Sequence, residues 1–93
     1  MTAARVALIT GAAHGQGRAA ALALAREGMH IVLTGPRREP LELVAGRIVE
    51  HGGKALVQPA DIGGSDAVFA VAEAIRAAFG RLDVLSPLAH RFR

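Results

Sequence analysis

Apolar residues arrive along this chain in short runs separated by longer amphipathic stretches. The first run, "RVALIT" at residues 5–10, is rich in strand formers and stops at a glycine, the pattern of a strand buried on both faces. From about Gly15 to Glu27 the residues are mainly Ala, Leu and Arg, strong helix formers, with Gly28 placed as a left-handed C-terminal cap. "HIVLT" at 30–34 predicts a second strand, closed by Gly35-Pro36. Pro40 suits the first position of a second helix. There Leu41, Val44, Ala45, Ile48 and Val49 recur at one-face spacing, Gly46 weakens the interior, and Gly52-Gly53 end it. "KALVQPA" at 54–60 reads as a third strand with Pro59 near its end. Ser65 is placed to cap a third helix that carries Val68, Phe69, Val71, Ala72, Ile75 and Phe79 and ends at Gly80. "LDVL" at 82–85 begins a fourth strand.

The order β-α-β-α-β-α-β, at these spacings, predicts right-handed crossovers and a parallel sheet in one domain over residues 1–93. Composition adds little against this: 52% of residues are hydrophobic, but only three are aromatic, all Phe, so aliphatic and Ala side chains must build the core. The absence of cysteine excludes disulfides and thiolate chemistry. No apolar stretch approaches the roughly 18–20 residues of a membrane span, and no secretory leader pattern opens the chain, so the expected location is the cytoplasm. The basic residues behind the net charge of +3 fall one at a time in separate elements, concentrating only at Arg37-Arg38 and the tail "HRFR", without interleaved aromatics for stacking on bases. A solvated basic surface fits that pattern better than a nucleic-acid interface.

The candidate chemistry lies between the first strand and the first helix, where "TGAAHGQG" sets Gly11, Gly15 and Gly17 within seven positions. In a doubly wound sheet this turn faces the ligand crevice at the carboxyl ends of the strands. A helix N-terminus there offers unpaired N–H groups and positive dipole charge, and glycine leaves room for a pyrophosphate to approach the backbone. Gly11 is expected to permit the tight turn. Gly15 and Gly17 are expected to permit close approach to phosphates and close helix–strand packing.

The spacing Thr-Gly-x-x-x-Gly-x-Gly resembles the N-terminal signature of the short-chain dehydrogenase/reductase family. "RREPLELVAGRI", "ALVQPADI" and "FGRLDVL" resemble that family's following segments in order, so the likeness covers residues 5–85. It implies a Rossmann-type, three-layer, doubly wound sheet of strand order 3-2-1-4 with three helices, and an oxidoreductase that moves hydride between NAD(P) and an alcohol or carbonyl. By the same resemblance Gly11, Gly15 and Gly17, with the backbone of Gln16, would cradle the pyrophosphate. Asp61 would accept from the adenine amino group and Ile62 would pack on the ring. The alternative for Asp61 is a turn or capping residue. NAD-preferring members carry a carboxylate at the end of the second strand. Here "GPRRE" offers Arg37 and Arg38 before any acid, and His14 stands where NADP-preferring members often carry a basic residue; a plain turn histidine is its alternative. NADP is therefore expected over NAD.

The family's proton-transfer pair, Tyr-x-x-x-Lys with an upstream Ser, has no match: the chain has no Tyr, one Lys (Lys54), and two Ser (Ser65 and Ser86). No catalytic residue and no metal ligand is assigned. Beyond "GRLDVL" the family continues Asn-Asn-Ala-Gly, whereas residues 86–93 read "SPLAHRFR". The expectation is a cofactor-binding half, truncated and inactive alone, with a non-catalytic nucleotide-binding module as the alternative. An open fourth strand would leave Val84, Leu85, Val6 and Leu8 short of partners and favour self-association or aggregation.

Overall fold

The computed structural model describes residues 4–13, 15–60 and 65–86. Its elements are β1 (Val6–Thr10), α1 (Gly15–Arg26), β2 (His30–Thr34), α2 (Arg38–Glu50), β3 (Lys54–Val57), α3 (Ser65–Phe79) and β4 (Val84–Ser86). The strands form one sheet in the order β3-β2-β1-β4, and every pairing is parallel. Register runs from Val6↔His30 to Thr10↔Thr34 between β1 and β2, and β1 meets β4 through Leu8↔Leu85. All four strands therefore end at one rim of the sheet. The alternation read from the sequence, and the strand order its family resemblance implies, are both present.

Three layers follow from the period of two along each strand. Odd-numbered Ala7, Ile9, Ile31 and Leu33 face Ala21 of α1 and Leu41, Val44 and Ile48 of α2. Even-numbered Val6, Leu8 and Val32 face Ala72 and Ile75 of α3, joined by Leu85. The whole of β1 is buried, as its unbroken apolar run requires.

Two expectations about the core need correction. Val6 and Leu8 keep their cover, at 2% and 0% exposure, because α3 lies across them; Leu85 is also buried. Val49 is exposed, since it stands about 100° around the helix from Ile48 and the stripe is centred on Leu41, Val44 and Ile48. Phe69 and Phe79 are 46% and 38% exposed. Phe69 lines the groove between α3 and β4, and Phe79 meets the His30 ring in a T-shaped contact at 6.4 Å between centroids.

Element ends differ slightly from the pattern. α2 begins at Arg38, so Pro40 is its third residue and not its first; the first turn's N–H groups have no intrahelical acceptor, so proline sacrifices nothing there. α1 ends at Arg26, and Gly28 takes the expected left-handed conformation at φ 90°. Backbone pairing of the third strand runs past Val57: Gln58 N–H donates to Leu33 O at 2.9 Å and Ala60 N–H to Gly35 O at 2.8 Å. The capping role expected of Ser65 falls on a side chain outside the described set.

One polar contact ties the ends of the sheet together. Asp83 N–H donates to Val6 O at 2.9 Å, and Val6 N–H donates back to Asp83 Oδ2 at 2.8 Å. Arg81 grips the same carboxylate through Nε at 2.8 Å and Nη2 at 2.7 Å. Arg81, then the Val6 N–H, holds the Asp83 carboxyl below the usual carboxylate range. A depressed native pKa contributes stability that is fully present above the unfolded value, about 3.9, and is lost as pH falls through the native value. Asp83→Asn should therefore melt lower than the parent at neutral pH, with the gap closing as the pH drops below about 4. Melting curves collected across pH by circular dichroism check this; a gap that is constant with pH would show the carboxylate charge to be irrelevant.

Candidate nucleotide-binding site

Thr10 and Thr34 end adjacent strands in register, so the turn after β1 and the segment after β2 leave the sheet side by side. Gly11 turns the chain at φ 61°, and Gly15 enters α1 at φ 55°, both in the left-handed region that favours glycine. A Cβ on either would meet nothing within 4 Å. Their glycine requirement is thus one of backbone conformation, and the space over them is open.

Gly17 differs. It is buried, and a Cβ there would collide with the Gly11 carbonyl, standing 2.7 Å from its carbon and 3.1 Å from Thr10 O. The turn folds back onto the first turn of α1, and only hydrogen on Gly17 leaves room. Of the two roles expected for Gly17, the structure shows the packing one. Gln16, beside it, is exposed.

The electrostatics suit an anion. The first turn of α1 contains no acidic residue, so nothing in that turn offsets the positive end of the helix dipole. Arg37 is the N-cap of α2, extended at φ −127° and ψ 132°, and makes no side-chain capping bond. It is exposed, with no ion pair among the described residues. Arg38 sits one residue further, inside the helix, and reaches Glu42 Oε2 at 3.4 Å. The pair of arginines thus divides: Arg37 stands at the rim beside the glycine turn, while Arg38 is turned to its own helix. Glu39, also exposed, lies in the first turn of α2.

His14, Asp61 and Ile62 lie outside the described residues. Ala60, immediately before Asp61, is fixed to Gly35, which brings the start of that segment to the same rim. Lys54 opens β3 opposite His30, at the far end of the sheet from the glycines. Among the described residues no group of three or more His, Cys, Asp or Glu could hold a metal. No described helix is long and apolar enough to cross a membrane.

A parallel sheet of order 3-2-1-4, with a glycine turn leading from its central first strand onto a helix N-terminus, defines a Rossmann-type nucleotide-binding architecture. The family profile described as short chain dehydrogenase matches residues 5–89, and the chain belongs to that family. It is 38% identical over 80 residues to a 3beta-hydroxysteroid dehydrogenase of Mediterraneibacter gnavus, covering 86% of this chain and 29% of that protein. It is 39% identical over 83 residues to a 3-oxoacyl-[acyl-carrier-protein] reductase of Synechocystis, covering 88% and 34%. A metagenomic short-chain oxidoreductase solved in complex with NADP superposes with a TM-score of 0.80 at 43% identity, over 87% of this chain and 37% of that one. The chain spans about a third of the length of these relatives.

Gly17→Ala should be strongly destabilising, by about 1–3 kcal/mol or more, because the contact is with backbone that cannot rotate away. Gly46→Ala is its control: Gly46 is exposed within α2 and a Cβ there meets nothing within 4 Å, so stability should rise by about 0.5–1 kcal/mol. Urea denaturation of both variants measures the pair. Equal effects would mean that the turn does not rest on Gly17.

Proposed function

We propose that this chain holds the dinucleotide of a short-chain dehydrogenase/reductase, with NADP(H) preferred over NAD(H), in an enzyme that interconverts an alcohol and a carbonyl. The observation that carries the reading is the glycine turn at the undercompensated N-terminus of α1, with Arg37 beside it at the same rim. Backbone N–H groups of residues 15–17 would receive the pyrophosphate, and a guanidinium at Arg37 suits a 2′-phosphate through charge-assisted bonds. His14 would add to the phosphate pocket, Asp61 would accept from the adenine amino group, and Ile62 would pack on the ring. The NADP complex of the metagenomic relative supports the choice of cofactor. When bound, the nicotinamide supplies or accepts the hydride.

The residues of this chain bind and orient; they do not move the proton. There is no Tyr, and the one Lys is Lys54, at the opposite end of the sheet from the cofactor rim. These 93 residues tested alone should bind nucleotide without turning over any alcohol or ketone, and carbonyl-dependent NADPH consumption by the pure chain would overturn that. A non-catalytic nucleotide-binding module is the second reading, favoured by the same lack of Tyr. It predicts identical binding and differs only if a protein carrying this chain shows no dehydrogenase activity.

Cofactor choice separates the two arginines. Arg37→Ala should weaken NADP(H) relative to NAD(H) by roughly 10–100-fold, the effect of one charge-assisted bond of about 1.5–3 kcal/mol. Arg38→Ala should change it little, because Glu42 already engages that side chain. Calorimetry with both cofactors is the measurement. Equal affinities for NADP and NAD in the parent chain would remove the preference from the proposal.

A further inference from the structure

Helices α1 and α2 pack on the same face of the sheet, and between their C-terminal ends lies a cleft of about 100 Å³. It sits at the amino rim, at the far end of both helices from the glycine turn. Leu22 and Ala25 of α1 and Ile48 of α2, the last only 2% exposed, give it an apolar floor. Gly53 completes the lining. Unlike Gly52 before it, at φ 84°, Gly53 is not in the left-handed region, so backbone conformation does not demand glycine there. A Cβ on Gly53 would stand 2.8 Å from Ile48 Cγ2 and 3.8 Å from Ala25 Cβ, in the space between the two helices.

The walls are basic. Arg26 from the last turn of α1, Arg47 from the last turn of α2, and His51 all line the cleft. Arg38, Arg76 and Arg81 each engage an acid within four residues. Arg26 and Arg47 have no ion pair among the described residues, although Glu27 adjoins the first and Glu50 follows the second by about one helical turn. His51 Nδ1 donates to the Arg47 carbonyl at 2.8 Å, which ties the ring to α2 and leaves Nε2 for a ligand. Each helix end brings about half a negative charge. Two guanidiniums outweigh that, and the cleft keeps roughly one net positive charge.

We propose that this cleft binds a phosphate group, either the free ion or the head of a small phosphomonoester. Two guanidiniums offered from different helices suit a tetrahedral oxyanion, because each fork can meet it with paired N–H donors. The cleft holds the volume of about three waters at their liquid share of ~30 Å³. That admits a small ion and is far below the roughly 300 Å³ or more of a pocket for a drug-sized ligand. The site is separate from the glycine turn, so it stands whether or not that turn holds a dinucleotide. It is built by α1, α2 and the turn after α2, on the face of the sheet away from α3.

The test is a titration of the isotope-labelled 93-residue chain with inorganic phosphate and with glycerol phosphate at constant ionic strength, read by amide NMR. It is run with and without excess NADP. Saturable shifts are expected at Ala25, His51 and Gly53 in both conditions. Shifts at Gly15 and Gly17 report the glycine turn separately, so failure of one site is not mistaken for failure of the other. Arg26→Gln and Arg47→Gln should each weaken binding at the cleft by about tenfold or more. Arg76→Gln, which removes an exposed guanidinium paired with Glu73 on α3, should leave it unchanged. Whichever ligand saturates the cleft at lower concentration shows whether it takes the free ion or the ester. Absence of a saturable shift at the cleft would overturn the proposal. So would an equal loss in Arg76→Gln, which would mean that net charge alone attracts the anion. If one of the two cleft variants fails to fold by circular dichroism, the other decides.

Discussion

Helix α1 rests its first turn on the Gly11 carbonyl, and much of the fold's upper rim follows from that contact. Because Gly17 has no side chain, the helix starts directly over the end of β1. That start aims its free N–H groups at the crevice and lays Ala21 flat against the sheet. A larger residue at position 17 would push the helix away from β1, opening the core on that side and turning the N-terminus from the rim. Packing and helix direction are coupled here through one missing side chain: the Cβ whose absence lets the helix pack is also the one whose absence sets where its dipole points.

Charge is distributed along the same polarity. The helices run antiparallel to the strands, so their positive ends gather at the carboxyl rim and their negative ends at the opposite one. Arg26 and Arg47 lie in the last turns of α1 and α2, where cations offset the dipole. At the carboxyl rim the compensation is uneven. α2 and α3 carry Glu39 and Asp66 in their first turns, and α1 carries no acid. The helix left with its field intact is the one behind the glycine turn.

The strands, the helices and the glycine turn were legible in the sequence because each rests on a local signal: apolar runs of strand length, one-face periodicity, and glycine where φ must be positive. Gly28 is such a case, whereas the third strand, read over 54–60, ends at Val57 with only single backbone bonds from Gln58 and Ala60 beyond it. Other features depend on tertiary placement. Nothing local distinguishes Arg37 from Arg38; the difference appears only when α2 begins at Arg38 and puts that residue within reach of Glu42. Asp83 reads as part of the fourth strand, whereas the strand itself is Val84–Ser86, and the bond its carboxylate accepts from the Val6 N–H appears only when the sheet brings the two together. Phe69 and Phe79 recur among the apolar residues of α3, yet the sheet covers that helix along the line of Ala72 and Ile75, and both rings stay partly exposed. The exposure expected for Val6 and Leu8 failed for the same reason in reverse: a single helix suffices to cover two neighbouring strands.

The hydrogen bond between Val6 and Asp83 spans 77 residues, whereas β1 meets β2 only 24 residues on, at Val6↔His30. That difference orders the folding of the chain. Closing the longer loop costs about 1 kcal/mol more in chain entropy than closing the shorter one, and contacts distant in sequence slow folding generally. β1, β2 and the α1 layer can therefore assemble while α3 is still unformed, leaving Val6, Leu8 and Val32 bare on the other face. On a ribosome that face stays uncovered until α3 has emerged, which makes the segment between β3 and β4 the interval in which the nascent chain depends most on protection from its neighbours.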